Sequence, residues 1–312
     1  MRIGRRVAAY RSGAAFAAEK VPMPETSYRL PSDTRLGRVI LQVSDLARSI
    51  SYYTGVLGFR SVSSTQGAAS LSPQDEDVVV IELREKRGVA QVPHHGRLGL
   101  YHYAILLPDR AALGRFVAHL ARLNVRAGAS DHFVSEALYL RDPDGIGIEV
   151  YADRPRSAWR YRDGEMEMTT KPLDLPDLVR AAGGEQWKGM PKGTRIGHVH
   201  LHVADLRDAA AFYQGGLGFD TTVSSYPGAL FLSAGGYHHH LGTNTWAGDA
   251  PRAGDDEARL LEWTVVVPDA VDASAVADNL RASGYVAEKT DEGFTAVDPW
   301  GIPLRVVAKP RE

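Results

Sequence analysis

The sequence has no cysteine. That excludes disulfides and thiolate ligands, so any metal site must be built from histidine and carboxylate side chains. No apolar run approaches the ~20 residues of a membrane-spanning helix, so no membrane association is expected. Neither sign of charge is in excess: 36 Lys and Arg stand against 38 Asp and Glu, for a net charge of −2. This leaves no footprint for a polyanion, and no nucleic-acid partner is expected. Between Met1 and Leu30 there are arginines and alanines but no continuous apolar centre, which does not fit a secretion signal. That segment is expected to be a flexible arm or a contact in a homo-oligomer, and the protein a cytoplasmic one. What is present is ordinary globular material: 312 residues, 44% of them hydrophobic, enough for two domains.

The chain repeats itself. From Gly37 it runs through Val39 to Val43, Asp45, Leu46, Tyr52 and Tyr53 to Leu57, Gly58 and Phe59. From Gly197 it runs through Val199 to Val203, Asp205, Leu206, Phe212 and Tyr213 to Leu217, Gly218 and Phe219, and the same offset separates the two copies at both ends. Histidines at 198, 200 and 202 replace Arg38, Ile40 and Gln42, so the copies differ where chemistry would reside.

Each half divides again. Val39 to Val43 alternates as a strand, Asp45 can cap a helix bearing Ile50, Tyr53 and Leu57, and Gly58 ends it. Val78 to Leu83 reads as a further strand. The pattern restarts with a strand at His102 to Leu107 and a helix from Leu113 to Leu123 whose stripe is Phe116, Leu120 and Leu123. The turn Asp142-Pro143-Asp144-Gly145 suits a tight hairpin between strands 137–140 and 147–151. A third unit spans 194–247, and a fourth runs from Glu262 through Asp298-Pro299-Trp300-Gly301 to Val307. Four βαβββ modules are predicted: an arm at 1–33, modules one and two at 34–157, a connection at 158–193 with a short helix near 175–182, and modules three and four at 194–312. The pairs Tyr52-Tyr53 and Phe212-Tyr213 are expected in the core, and Arg154, Arg156 and Trp159 are expected to brace the connection.

A βαβββ unit with a first-strand histidine, a helix closing on Leu-Gly-Phe, and an Asp-Pro-x-Gly turn before a Glu-bearing last strand resembles the vicinal oxygen chelate superfamily. That superfamily holds glyoxalase I, bleomycin-resistance proteins and type I extradiol dioxygenases. The resemblance covers about 36–308. The stretches from Leu100 to Pro108, from Asp131 through Glu149 to Arg156, from Gly197 to Val203, and Tyr237 to His240 look closer to the catechol 2,3-dioxygenase branch. It implies an α+β fold in which modules pair to form two cup-shaped mixed sheets, the glyoxalase/extradiol dioxygenase fold.

In that fold, ligands come from a module's first strand and from the residue four beyond the glycine of the turn. The corresponding positions here are Arg38, His102, His198 and Glu262, then Glu149 and Arg305. The implied metal set is His102, Glu149 and His198, a 2-His-1-carboxylate group. His200 and His202 share the face of His198 by strand alternation and either is the alternative third ligand, with the register favouring His198. Arginine offers no lone pair, so Arg38 and Arg305 are expected to flank Glu262 in a cup without metal. Module two should therefore pair with three, and one with four.

The resemblance further implies His239 as acid–base histidine, Tyr139 as a hydroxyl that bonds the substrate oxygen, and His132 as a third catalytic side chain. His200 and His240 are the implied substrate contacts; if His238 and His240 face the cup instead of His239, the acid–base role passes to one of them. The expected function is extradiol cleavage of a catechol or hydroquinone-like diol by O2, with Fe(II), or Mn(II) in its place. The competing readings are a glyoxalase-type metal-dependent isomerase or transferase, which calls for a fourth protein ligand, and a non-catalytic drug-binding protein, which needs no metal set.

Overall fold

The computed structural model describes residues 28–309; most of the expected arm, residues 1–27, and the last three residues lie outside the described part. Module one consists of β1 (Arg35–Val43), α1 (Leu46–Tyr52), β2 (Arg60–Thr65), β3 (Ala68–Ser72) and β4 (Ile81–Glu85). Module two follows with β5 (Gly99–Leu106), α2 (Arg110–Arg122), β6 (Gly128–Asp131), β7 (Ser135–Arg141) and β8 (Gly147–Asp153). The connection holds the short ribbon β9 (Tyr161–Arg162) and β10 (Glu165–Met166), then α3 (Leu175–Ala181). Module three is β11 (Arg195–His202), α4 (Leu206–Ala209), β12 (Asp220–Val223), β13 (Ala229–Ser233) and β14 (Leu241–Asn244). Module four is β15 (Arg259–Val267), α5 (Ala270–Ala282), β16 (Glu288–Thr290), β17 (Gly293–Val297) and β18 (Pro303–Ala308).

The same local chemistry starts every module helix. Asp45, Asp109, Asp205 and Asp269 are extended residues whose carboxylates accept backbone N–H groups of the first turn, which offsets the unpaired donors at a helix start. Both α1 and α4 continue as a wider π-type turn, over Tyr53–Leu57 and Ala210–Gly216.

Two eight-stranded mixed sheets result, in the orders β16-β17-β18-β15-β1-β4-β3-β2 and β12-β13-β14-β11-β5-β8-β7-β6. Module one thus joins module four, and module two joins module three, through the antiparallel seams β1–β15 and β5–β11. Within each module the first and last strands run parallel. Each sheet draws on both halves of the chain, and the tyrosines link modules along the chain. The hydroxyl of Tyr53 donates to Asp142 at 3.2 Å, and that of Tyr213 to Asp298 at 2.7 Å. Each aspartate also accepts two backbone N–H groups of its own turn. The repeated tyrosine therefore ties the helix of one module to the hairpin turn of the next.

Two sequence expectations shift. Val78 to Val80 precede the strand, which begins at Ile81, and Val78 is 66% exposed. Leu123 caps the end of α2 and is 46% exposed, so the buried stripe is Leu113, Phe116 and Leu120. Among the described residues, no helix is long and apolar enough to cross a membrane.

Candidate metal centre and its cavity

The seam between β5 and β11 sets the site. His102 pairs with His200 and Ala104 with His198, while Ala104 also pairs with Glu149 across the parallel neighbour β8. Alternation puts His102, Ala104, His198, His200 and Glu149 on one face, and the small Ala104 leaves the centre open. The seam is irregular between Ile196 and His198. At Gly197 any Cβ would collide with the Tyr151 hydroxyl, so glycine is required for Tyr151 to fill the floor.

His102 Nε2 lies 3.0 Å and His198 Nε2 3.2 Å from Glu149 Oε2. One ligand atom from each residue falls within 4.8 Å of the others, and all three side chains are buried. His102 Nε2 is misdirected for a hydrogen bond and has no other partner. A buried nitrogen without a partner costs about 1–3 kcal/mol, and a cation among the three donors would remove that cost. Burial works against the Glu149 charge, but the two imidazoles turned toward it outweigh burial and hold its carboxyl well below the usual range. Burial pushes His198 down to about 4 against the pull of Glu149, so its imidazole is neutral and able to ligate near pH 7.

The cluster opens into a cavity of about 430 Å³. Tyr139, His132, His200 and His239 line it, with Tyr101, Met168, Tyr226, Phe231 and Trp246 among the apolar walls. Tyr139 pairs with Glu149 across β7–β8, and its hydroxyl is 2.7 Å from His132 Nε2. His132 Nδ1 faces the carbonyl of Thr169, which only accepts, so Nδ1 carries the proton and Nε2 accepts from Tyr139. Burial, then the nearby Glu149, keeps the Tyr139 phenol protonated far above its usual range.

His200 is oriented by Asn244, whose amide donates to Nε2 at 2.9 Å and whose oxygen accepts from His202 Nδ1 at 2.7 Å. His202 is thereby drawn out of the cavity lining. Burial depresses both His200 and His239 well below the usual imidazole range.

The tyrosine–histidine run departs from expectation. Residues 237–240 form an irregular loop before β14, so their side chains do not alternate as in a strand. His239 lines the cavity with its ring 4.1 Å from that of His198. His238 turns away to Asp153. His240, expected as a substrate contact, is corrected: its Nδ1 accepts from the Ala234 amide, and it lines a separate 210 Å³ cavity with Arg156 and Arg195.

The register also shows which residue of module three stands where Glu149 stands in module two. Two residues beyond His102 stands Ala104, paired with Glu149; two beyond His198 stands His200, paired with Gly242. Gly242 therefore matches Glu149, and it offers no donor. In the other sheet Arg305 Nε pairs with Glu262 at 2.9 Å, whereas Arg38 turns to Glu82 at 3.5 Å. The expected arrangement of Glu262 between two guanidiniums is thus replaced by an Arg305–Glu262 pair and, apart from it, Glu82 shared by Arg38 and, at 2.7 Å, Arg84. Glu82 was not visible as a partner because module one has no Asp-Pro-x-Gly turn to mark it. Met168 to Thr170 also line the cavity, a place no sequence motif marks, since none tells which part of a connection folds over a pocket. Arg154 pairs with Asp131 and accepts the Trp159 indole N–H on its carbonyl, bracing the connection.

Two paired βαβββ sheets and a His/Glu/His cluster on one seam define a class, and sequence comparison agrees with it. The chain belongs to the Glyoxalase/Bleomycin resistance protein/Dioxygenase superfamily, whose family model matches residues 35–150 and 195–304. It is 46% identical over 271 residues to a catechol-2,3-dioxygenase of Bacillus subtilis (strain 168), covering 86% of this chain and 94% of that protein. A lactoylglutathione lyase of Pseudomonas putida is 29% identical over 146 residues, covering 37% of this chain and 83% of that protein. In fold, glyoxalase I from Zea mays superposes with a TM-score of 0.50 at 16% identity, covering 88% of this chain and 92% of that one.

Proposed function

We propose that this protein is an extradiol ring-cleaving dioxygenase that opens a catechol or hydroquinone-like diol with O2, and that His102, Glu149 and His198 hold Fe(II), or Mn(II) in its place. The observation that carries the reading is the donor set: three protein ligands converge on one point, and glycine stands where a fourth would be. Three donors leave positions free for a diol and dioxygen together. When bound, such a metal serves as a template for both reactants and as a conduit for charge between them.

The chain's own residues supply the rest. Tyr139 donates its hydroxyl hydrogen bond to His132, which leaves its oxygen to accept one from a hydroxyl of the diol beside Glu149. His239 is neutral at physiological pH and faces the cavity, so it takes the proton of the other hydroxyl and returns one later. Asn244 fixes the His200 ring over the same space. Tyr226, Phe231 and Trp246 offer an aromatic diol flat apolar walls and limit water. A glyoxalase-type isomerase would want a carboxylate where Gly242 stands, and a binding protein has no use for the convergent donors. The cytoplasm, a small aromatic diol and O2 complete this reading.

The test is anaerobic loading with Fe(II), then oxygen uptake and appearance of a yellow ring-cleavage product across a panel of catechols and hydroquinones. Uptake is expected with at least one diol and is abolished in His102→Ala. Activity that survives this substitution would end the proposed centre, and no uptake on any diol would end the proposed reaction.

A further inference from the structure

His239 meets the cavity, but the groups behind it decide what it can do there. His238 is fully buried, with Nε2 2.9 Å from Asp153 Oδ1 and Nδ1 2.7 Å from Nδ1 of His239. A carboxylate oxygen only accepts, so neutral His238 carries its proton on Nε2 and has a lone pair on Nδ1. The short contact between the two Nδ1 atoms then needs a proton on the His239 side. That leaves Nε2 of His239 unprotonated, and it is the nitrogen free to serve the cavity.

The carboxylate is itself held. The Tyr237 hydroxyl donates to Asp153 Oδ1 at 3.2 Å, and the Tyr151 hydroxyl lies 2.7 Å from that of Tyr237. Trp159 lies edge-on to the His238 ring at 5.5 Å between ring centres. Asp153 ends β8, the same strand that carries Glu149, so one rigid element places both carboxylates. Neither Asp153 nor His238 lines the cavity.

Resting on the function proposed above, we infer that Asp153 is a positioning residue for ring cleavage: through His238 it fixes His239 in the tautomer that turns an unprotonated Nε2 toward the bound diol. The opposite tautomer would present an N–H where the hydroxyl needs an acceptor. In the transfer itself the diol O–H bond breaks and the His239 Nε2–H bond forms, and the imidazolium so produced faces, through His238, the negative charge of Asp153. The pair His238 and Asp153 stands to His239 as an orienting acid stands to any catalytic histidine, with one imidazole interposed.

Nitrogen-15 NMR of histidine-labelled, metal-free, full-length protein reads the tautomer directly, with His239→Gln to assign the signals. His239 is expected to show a protonated Nδ1 and a bare Nε2; a proton found on Nε2 of the neutral ring overturns the proposal. Asp153→Ala is expected to mix the tautomers. In the iron-loaded enzyme it should lower kcat roughly 10- to 100-fold with KM within about twofold, part of the ~10²–10⁴ that a positioned acid–base group supplies. Asp153→Asn keeps an acceptor oxygen and should recover most of that loss, whereas a merely structural role would move iron content and KM as well. An unchanged kcat for Asp153→Ala at equal iron content overturns the proposal. Should the native protein open no diol, the proposed activity fails, while the NMR measurement still decides whether Asp153 sets the tautomer.

Discussion

Gly242 stands beside His200 across the parallel pair β11–β14, and a Cβ on Gly242 would come within 2.9 Å of the His200 ring. The missing side chain thus has two consequences. It withholds a fourth donor from the cluster, and it seats the His200 ring where Asn244 can hold it.

Gly242→Ala should therefore disturb the cavity without touching a proposed ligand. The methyl must push the ring off Asn244, at a cost of about 1–3 kcal/mol in stability for an overpacked site. A shift near 1 Å at a positioning group can cost up to ~10²-fold in rate, so a fall in kcat/KM is expected at unchanged metal content. Denaturant titration, metal analysis and kinetics check this together. Kinetics equal to those of the native protein would show that His200 has no part in positioning.

Glu149 is a buried carboxylate facing two buried imidazoles, a set that a divalent cation should stabilise as well as use. Metal that binds only the folded chain adds about 2.7 kcal/mol at a hundred times its Kd. Anaerobic unfolding scans should show Tm rising with Fe(II) or Mn(II), and the rise should vanish in Glu149→Gln, which keeps the shape but removes the charge. An equal rise in both proteins would place the bound metal elsewhere.

The modules, the Asp45 cap and the pairing across the halves were legible because each rests on local chemistry repeated at a fixed spacing. The register that brings His102, Glu149 and His198 together was legible for the same reason: His102 and His198 open equivalent strands, and Glu149 follows its turn glycine by a fixed step. The direction of His240 was not. A run of three histidines carries no period to distinguish a strand from a loop, and the loop at 237–240 turns each ring a different way. Nor could Arg38 be matched to Glu82, since that pairing depends on which strand lies beside β1 rather than on any motif.

The cup formed by modules one and four should take no part in the reaction. Its Glu262 and Arg305 pair at 2.9 Å with side chains 15% and 27% exposed, and neither lines the cavity of the proposed metal centre. Replacing both, as Glu262→Gln with Arg305→Gln, should leave kcat within about twofold, because neither side chain lines the cavity or belongs to the His/Glu/His cluster. Metal analysis of native protein should give one metal per chain. A second bound metal lost in the double variant would contradict the charge-pair account of this cup.

Burial pushes His198 down to about 4 and His240 down to about 3, and it holds His200 and His239 well below the usual range. In the unfolded chain each titrates near ~6.5. Their folded values are depressed, so the unfolded chain binds more protons between these limits. The stability they contribute is present above about pH 6.5 and is lost as pH falls toward the folded values, by up to ~1.4 kcal/mol per pH unit for each group. Metal-free protein should show a urea midpoint that is flat above pH ~7 and falls steeply below ~6. His240 lies outside the cavity of the proposed metal centre, and His240→Gln keeps an acceptor for the Ala234 amide. This variant should flatten the slope between pH ~5 and ~6 by close to one proton's worth, ~1.4 kcal/mol per unit, while leaving metal binding intact. A slope identical to the native one would mean that His240 already carries a proton in the folded state, and that its burial does not keep it neutral.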